Sequence, residues 1–272
     1  MEAKPPLYAA FGDLAAATAL TSLMNAAFAA AGLRGADLPF RADEGNLAGL
    51  FARLRADGLA GAHFLSPCAG AAVALCDSLS AEAEALEAVD TARLQEGAVI
   101  GSNAAAAAFT AALAEIGADV AGQAVLVLGV APEARAAGRA LERAGAAVTY
   151  AAADVAAPRP GLSTRATVIR LAEAKQFAAE KRPVLTLETL DSPADADPPV
   201  DVVSLPPDRF VWTFAVGAPS PLLAAARRRG LPTADGISFL LHRAALAFEE
   251  WTGREAPRKA LRRAAEQIRD SL

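Results

Sequence analysis

The sequence predicts an α/β protein of two domains, and three observations carry that prediction. Short apolar runs alternate with longer alanine-rich amphipathic runs along most of the chain. The run AVLVLGV (124–130) is apolar throughout and is followed by Pro132, helical spacing to 144 and a second apolar run at 147–151. That is a β-α-β unit with proline in the first helical turn, the core of a nucleotide-binding fold. Two long helices then follow the last strand, where a single doubly wound sheet would have ended.

The other elements read in order. Strands at 6–12, 37–41 and 60–65 alternate with helices at 18–31 and 45–56, and Pro67 stops the third strand. Short strands at 88–92 and 97–100 precede an alanine-rich helix at 103–117. Beyond the β-α-β unit come a helix at 165–180, a strand at 183–188 and a Pro/Asp-rich loop at 192–199. VDVVSL (200–205) and FVWTFAV (210–216) read as strands, and helices follow at 220–229, 236–251 and 257–270. No internal repeat is visible.

Composition narrows the function. Of 272 residues, 54% are apolar and 73 are alanine, which excludes intrinsic disorder. A net charge of −5 argues against a nucleic-acid binder, since phosphate contacts need clustered cations. Only four lysines occur, and none lies between Lys4 and Lys175. Two cysteines make no disulfide framework, and the two histidines, His63 and His242, are too far apart in sequence to suggest a metal site. The longest uncharged stretches, 58–76 and 97–114, are too rich in Ala, Gly, Ser and Asn to span a bilayer. The start, Met1-Glu2-Ala3-Lys4, is not that of a signal peptide, so a soluble cytoplasmic protein is expected.

Several motifs fall in one order. GISFLLHRAALAFEEWTG (236–253) resembles the C-terminal signature of the shikimate dehydrogenase family. GDLAAATALTSLMNAAF (12–28) resembles that family's first glycine turn and serine-bearing helix. GAHFLSPCAG (61–70) takes the place of Asn-Val-Thr-x-Pro-His-Lys, and EAVDTA (87–92) that of Gly-Ala-Val-Asn-Thr. GSNAAAAAF (101–109) resembles Gly-x-Asn-Thr-Asp-Gly-x-Gly-Phe, and VLVLGVAPEARAA (125–137) sits at the nucleotide turn. The resemblance implies a substrate-type domain from 1–104 plus 235–272 and a Rossmann-like domain from 105–234. It also implies C-terminal helices that return to the first domain, and a cleft for substrate and NADP.

Carried over residue by residue, the resemblance removes the chemistry. Oxidising a secondary alcohol requires a group that takes the hydroxyl proton as hydride leaves. The positions implied for that lysine and aspartate are Ala69 and Ala105, and the implied positions of substrate contacts hold Thr18, Leu20, His63, Leu65, Asp90, Ala215 and Arg243. At the nucleotide turn Gly129 remains, but Pro132 offers no N–H and Glu133 repels phosphate. The arginine expected at the 2′-phosphate falls on Ala153, and Asp154 could imitate an NAD-type ribose contact or be a surface acid. The expectation is therefore a shikimate dehydrogenase-like pseudoenzyme with no catalytic residues and no cofactor, neither NADP nor NAD.

Such a protein would bind another small acidic molecule or a protein partner, and could pair with itself. Ligand candidates are Thr18, His63, Asp90, Asn103 and Arg243. The alternative is an active oxidoreductase that uses His63, Asp90 and Arg243. Against each stands a structural role: Thr18 and Asn103 suit helix caps, His63 a strand-end hydrogen bond, and Arg243 an ion pair with Asp90. Cys68 reads as an inert thiol, His242 as a surface or packing residue, and Arg258, Lys259, Arg262 and Arg263 as a solvated face.

Overall fold

The computed structural model describes residues 5–157, 159, 161–190, 196–217 and 220–271. It divides into two compact units: Met1–Ala108 with Leu240–Leu272, and Phe109–Phe239. Each has its own sheet, and the last two helices contribute to the first unit.

Unit one runs β1 (Leu7–Gly12), α1 (Leu14–Ala30), β2 (Ala36–Arg41), α2 (Leu47–Ala56) and β3 (Leu59–Phe64). It continues through β4 (Ser78–Leu79), α3 (Ala81–Leu86), β5 (Thr91–Gln95) and β6 (Ala98–Ser102). α4 (Ala105–Ile116) leads into unit two. The sheet order is β2-β1-β3-β5-β6-β4, with β5 antiparallel to both of its neighbours. Phe11, Phe51 and Phe64 pack ring to ring in its core.

Unit two contains β7 (Ala124–Leu128), α5 (Pro132–Arg143), β8 (Ala147–Ala152), β9 (Thr167–Arg170), α6 (Ala174–Lys181) and β10 (Leu185–Glu188). Then come β11 (Phe210–Thr213), α7 (Pro221–Arg229) and β12 (Thr233–Ala234). The sheet is parallel throughout, in the order β12-β11-β10-β7-β8-β9. Val125, Leu126, Val127 and Leu128 are all buried because helices cover both faces of such a sheet. α8 (Gly236–Thr252) starts in unit two and ends in unit one, where α9 (Arg258–Ser271) packs against α1. The basic residues at 258, 259, 262 and 263 are exposed. No helix among the described residues is long and apolar enough to cross a membrane.

The structure corrects several local expectations. α1 begins at Leu14, because the Asp13 carboxylate accepts the Ala16 N–H at 3.0 Å and caps it. Thr18 is therefore inside the helix, and its hydroxyl donates to Leu14 O at 2.7 Å. α3 was not expected; Ser80 caps it, and Glu87 ends it in the left-handed region at φ 47°. That turn delays the next strand from 88 to Thr91. The helix expected at 165–180 divides, since Thr167, Val168 and Ile169 are β-branched and pair with β8. VDVVSL is no strand: the Asp201 carboxylate accepts the Val203 N–H and winds a single 3-10 turn. Part of the 192–199 loop lies outside the described residues.

One glycine marks a close approach. The Trp251 indole lies on the backbone of β3, where a Cβ at Gly61 would stand 2.7 Å from Trp251 Cε2. Gly61→Ala is expected to cost about 1–3 kcal/mol through overpacking, read as a lower midpoint in chemical denaturation.

Candidate functional site

Hydrogen bonds bring together the segments that carry the shikimate-type motifs in unit one. Phe64 N and Asp90 O bond at 2.9 Å, Val89 N and Ala69 O at 2.9 Å, and Asp90 N and Ser102 O at 3.0 Å. The Asp90 carboxylate accepts the Ala104 N–H at 3.1 Å from either oxygen. Residues 64–69, 88–91 and 102–105 thus meet at Asp90, with Ala69 and Ala105 both buried.

Arg243 enters this meeting point from α8. It is 2% exposed, and its Nη2 donates to Asp90 O at 2.9 Å and to Phe64 O at 3.5 Å. Its Nε lies 3.7 Å from Asp90 Oδ2. The two expected ligand residues are partners of one another, enclosed by protein. Asn103 is committed as well: its Oδ1 accepts Ala105 N and its Nδ2 donates to Ala88 O at 2.9 Å, so it holds the α4 entry in place. Thr18 is exposed, with its hydroxyl bonded along its own helix.

His63 does not join Asp90. It is 0% exposed, with Nε2 3.5 Å from Asp37 Oδ2 and its ring 4.5 Å from that of Trp251. Tyr8 stacks on Trp251 at 4.6 Å, and burial, reinforced by Asp37, raises its hydroxyl pKa. A histidine sealed in this way touches no solvent. His242 is also buried rather than on the surface.

Asp37, Trp251 and Glu250 were missed as parts of this cluster. The signal for Asp37 was an acid in a strand otherwise reading ADLPFR, whose backbone Asn25 holds with two hydrogen bonds of 2.9 Å. Glu250 accepts from the Ser102 hydroxyl at 2.9 Å, and burial raises its carboxyl pKa, with Asp90 adding to the rise. The Cys68 thiol is pushed up to about 11 by burial, with Asp43 and Glu44 adding, so it is a poor nucleophile.

In unit two, Gly129 follows β7 at φ 100°, a conformation glycine adopts freely. The Thr189 hydroxyl, bonded to Leu128 O at 3.0 Å, closes on the place a Cβ at Gly129 would take. Asp154 is exposed, and its Oδ1 accepts Ala156 N at 2.8 Å in a tight turn, with the Arg159 guanidinium on its carbonyl. Among the described residues no cluster of His, Cys, Asp and Glu could hold a metal.

Comparisons with known proteins agree on one family. Residues 16–92 match a model of the shikimate dehydrogenase substrate binding domain, and 236–266 match the shikimate 5'-dehydrogenase C-terminal domain. A shikimate dehydrogenase (NADP(+)) of Moorella thermoacetica is 34% identical, over 88% of this chain and 85% of its own. A shikimate 5-dehydrogenase of Thermus thermophilus, solved with NADP(H) and shikimate, is 25% identical with a TM-score of 0.80, covering 97% of this chain and 99% of that one. The Aquifex aeolicus shikimate dehydrogenase shares the fold at a TM-score of 0.83 and 21% identity, covering 97% of this chain and 98% of its own. The expectation of no cofactor is overturned by these relatives, which are NADP-dependent or hold NADP(H). It weighed single side chains at the turn above the main-chain geometry that binds phosphate.

Two outcomes are expected in unit one. Arg243→Ala strands the buried Asp90 charge and should lower stability by about 3–5 kcal/mol in chemical denaturation. Glu250 has a folded pKa above its unfolded one, so its contribution is fully present below the ordinary carboxyl range. It is lost as pH rises through the raised folded value. Glu250→Gln should flatten that part of a melting-temperature profile against pH.

Proposed function

This chain belongs to the shikimate dehydrogenase family, and from that premise we propose that it binds NADP but has given up shikimate oxidation for an accessory or regulatory role in the cytoplasm. The observation that carries the reading is the alanine at both positions where the family resemblance implies proton-transfer groups, Ala69 and Ala105. A methyl group neither takes a hydroxyl proton nor orients the alcohol. With no lysine between Lys4 and Lys175, the local chain supplies no substitute ammonium.

The Asp90–Arg243 pair supports the same reading. Its charges satisfy each other, so little is left to bind a polyol, and each unmatched substrate hydroxyl would cost about 1–3 kcal/mol to desolvate. The alternative enzyme built on His63, Asp90 and Arg243 lacks support in this geometry, because His63 is turned to Asp37 and enclosed.

The residues of unit two fit a dinucleotide through the main chain. Gly129 opens a turn at the carboxyl end of β7, and α5 directs first-turn N–H groups there that have no acceptor within the helix. Pro132 removes one donor and Glu133 adds a repulsive charge, so the grip is weaker than an all-glycine turn would give. A bound nicotinamide supplies a hydride acceptor; this chain's own residues hold it and take no proton from an alcohol. The occupant of unit one is a small acidic ligand or a protein partner.

The test is NADP reduction with shikimate or quinate, with NADP binding measured on the same preparation. Binding is expected, with turnover at least about a thousandfold below ordinary dehydrogenase values. Turnover of about 1 per second or more would sink the reading.

A further inference from the structure

Glu188 ends β10, and no role assigned above uses it. β8 and β9 lie on one side of β7, while β10, β11 and β12 lie on the other. The carboxyl ends of β7 and β10 therefore flank the point where the strand order reverses, which is where open parallel sheets take their ligands. The register sets Glu188 beside Leu128, the residue before the Gly129 turn, and beside Thr213 on the other side.

The Glu188 side chain is 0% exposed on the face it shares with Leu126, Leu128 and Val211. Neither carboxyl oxygen makes a hydrogen bond of full geometry among the described residues. Packing does not ask for an acid here, because an amide or an apolar group would fill the place at lower cost.

We propose that Glu188 makes dinucleotide affinity proton-dependent, so that phosphates settle at the Gly129 turn when the carboxyl is neutral and are repelled when it is ionised. The inference rests on the reading that unit two binds NADP. Neighbouring strands lie about 4.8 Å apart, which puts a carboxylate at Glu188 roughly 10 Å from a phosphate over the next turn. At that range, with an effective dielectric constant of about 20, one charge changes affinity about tenfold.

The surrounding groups leave Glu188 uncompensated. β7 and β11 face it with Leu128 and Thr213, and α7 with the Ser220 hydroxyl at its N-cap. The charges on the packed helices are Glu133, Arg135, Arg139, Glu142 and Arg143 on α5, Lys175, Glu180 and Lys181 on α6, and Arg227, Arg228 and Arg229 on α7. None of them governs its ionisation: burial raises the carboxyl pKa, and only Ser220 lowers it. An anion binds better to the neutral form, so affinity is highest at low pH and falls as pH rises through the raised value. Binding takes up protons.

The experiment titrates the full chain and its Glu188→Gln variant with NADP⁺ between about pH 5 and 9, by calorimetry in buffers of different ionisation heat. The 2′-phosphate titrates in both series, so the difference between the proteins is the reading. The wild type is expected to lose about tenfold in affinity relative to the variant across the range, with extra proton uptake of up to one. Identical profiles and proton counts overturn the proposal. If NADP⁺ binds neither protein at any pH, the underlying reading fails and takes the proposal with it. Melting temperature without ligand supplies an independent reading of the carboxyl. The variant should gain on the wild type as pH rises, and parallel curves would also overturn the proposal.

Discussion

The pairing of Arg243 with Asp90 is the constraint on which unit one depends. A carboxylate out of water must have a partner, and the backbone around Asp90 joins the ends of three motif segments. Its carbonyl accepts from Phe64 N and from Arg243, its N–H donates to Ser102, and its carboxylate holds Ala104 N. α8 is thereby fixed to the sheet by a charge as well as by Trp251, whose indole N–H donates to Ala92 O at 3.2 Å.

The two units place their expected chemistry on different groups. Unit two has a parallel sheet with a glycine turn at its point of reversal, a place where main-chain groups can meet an anion without particular side chains. In unit one the implied chemistry rested on side chains, and alanine stands at 69 and 105. Loss by small-residue replacement leaves a fold intact, because a buried methyl packs well where a charged head had to be satisfied. The abundance of alanine is therefore compatible with the architecture of the family.

The sequence disclosed long-range organisation better than local endings. The apolar run 124–130 and the proline after it announced β7 and α5, since a strand buried on both faces can hardly be written otherwise. An ion pair with Asp90 was one of two roles that the motif positions left open for Arg243, the other being an anchor for a ligand. Helix starts were less legible: alanine carries almost no periodic signal, so the Asp13 cap went unread and Thr18 was taken for a cap. The neighbour of His63, Asp37, comes from another strand, and no local spacing links the two. Glu188 was invisible for the same reason, being unusual only once β10 lies beside β7.

A double-mutant cycle on Asp90→Asn and Arg243→Gln, read by chemical denaturation at neutral pH, tests the central claim most directly. Contacting buried charges that compensate each other should couple by about 2 kcal/mol or more. Additive effects, with a coupling near zero, would contradict the pairing and return Arg243 to the role of an anchor for a ligand.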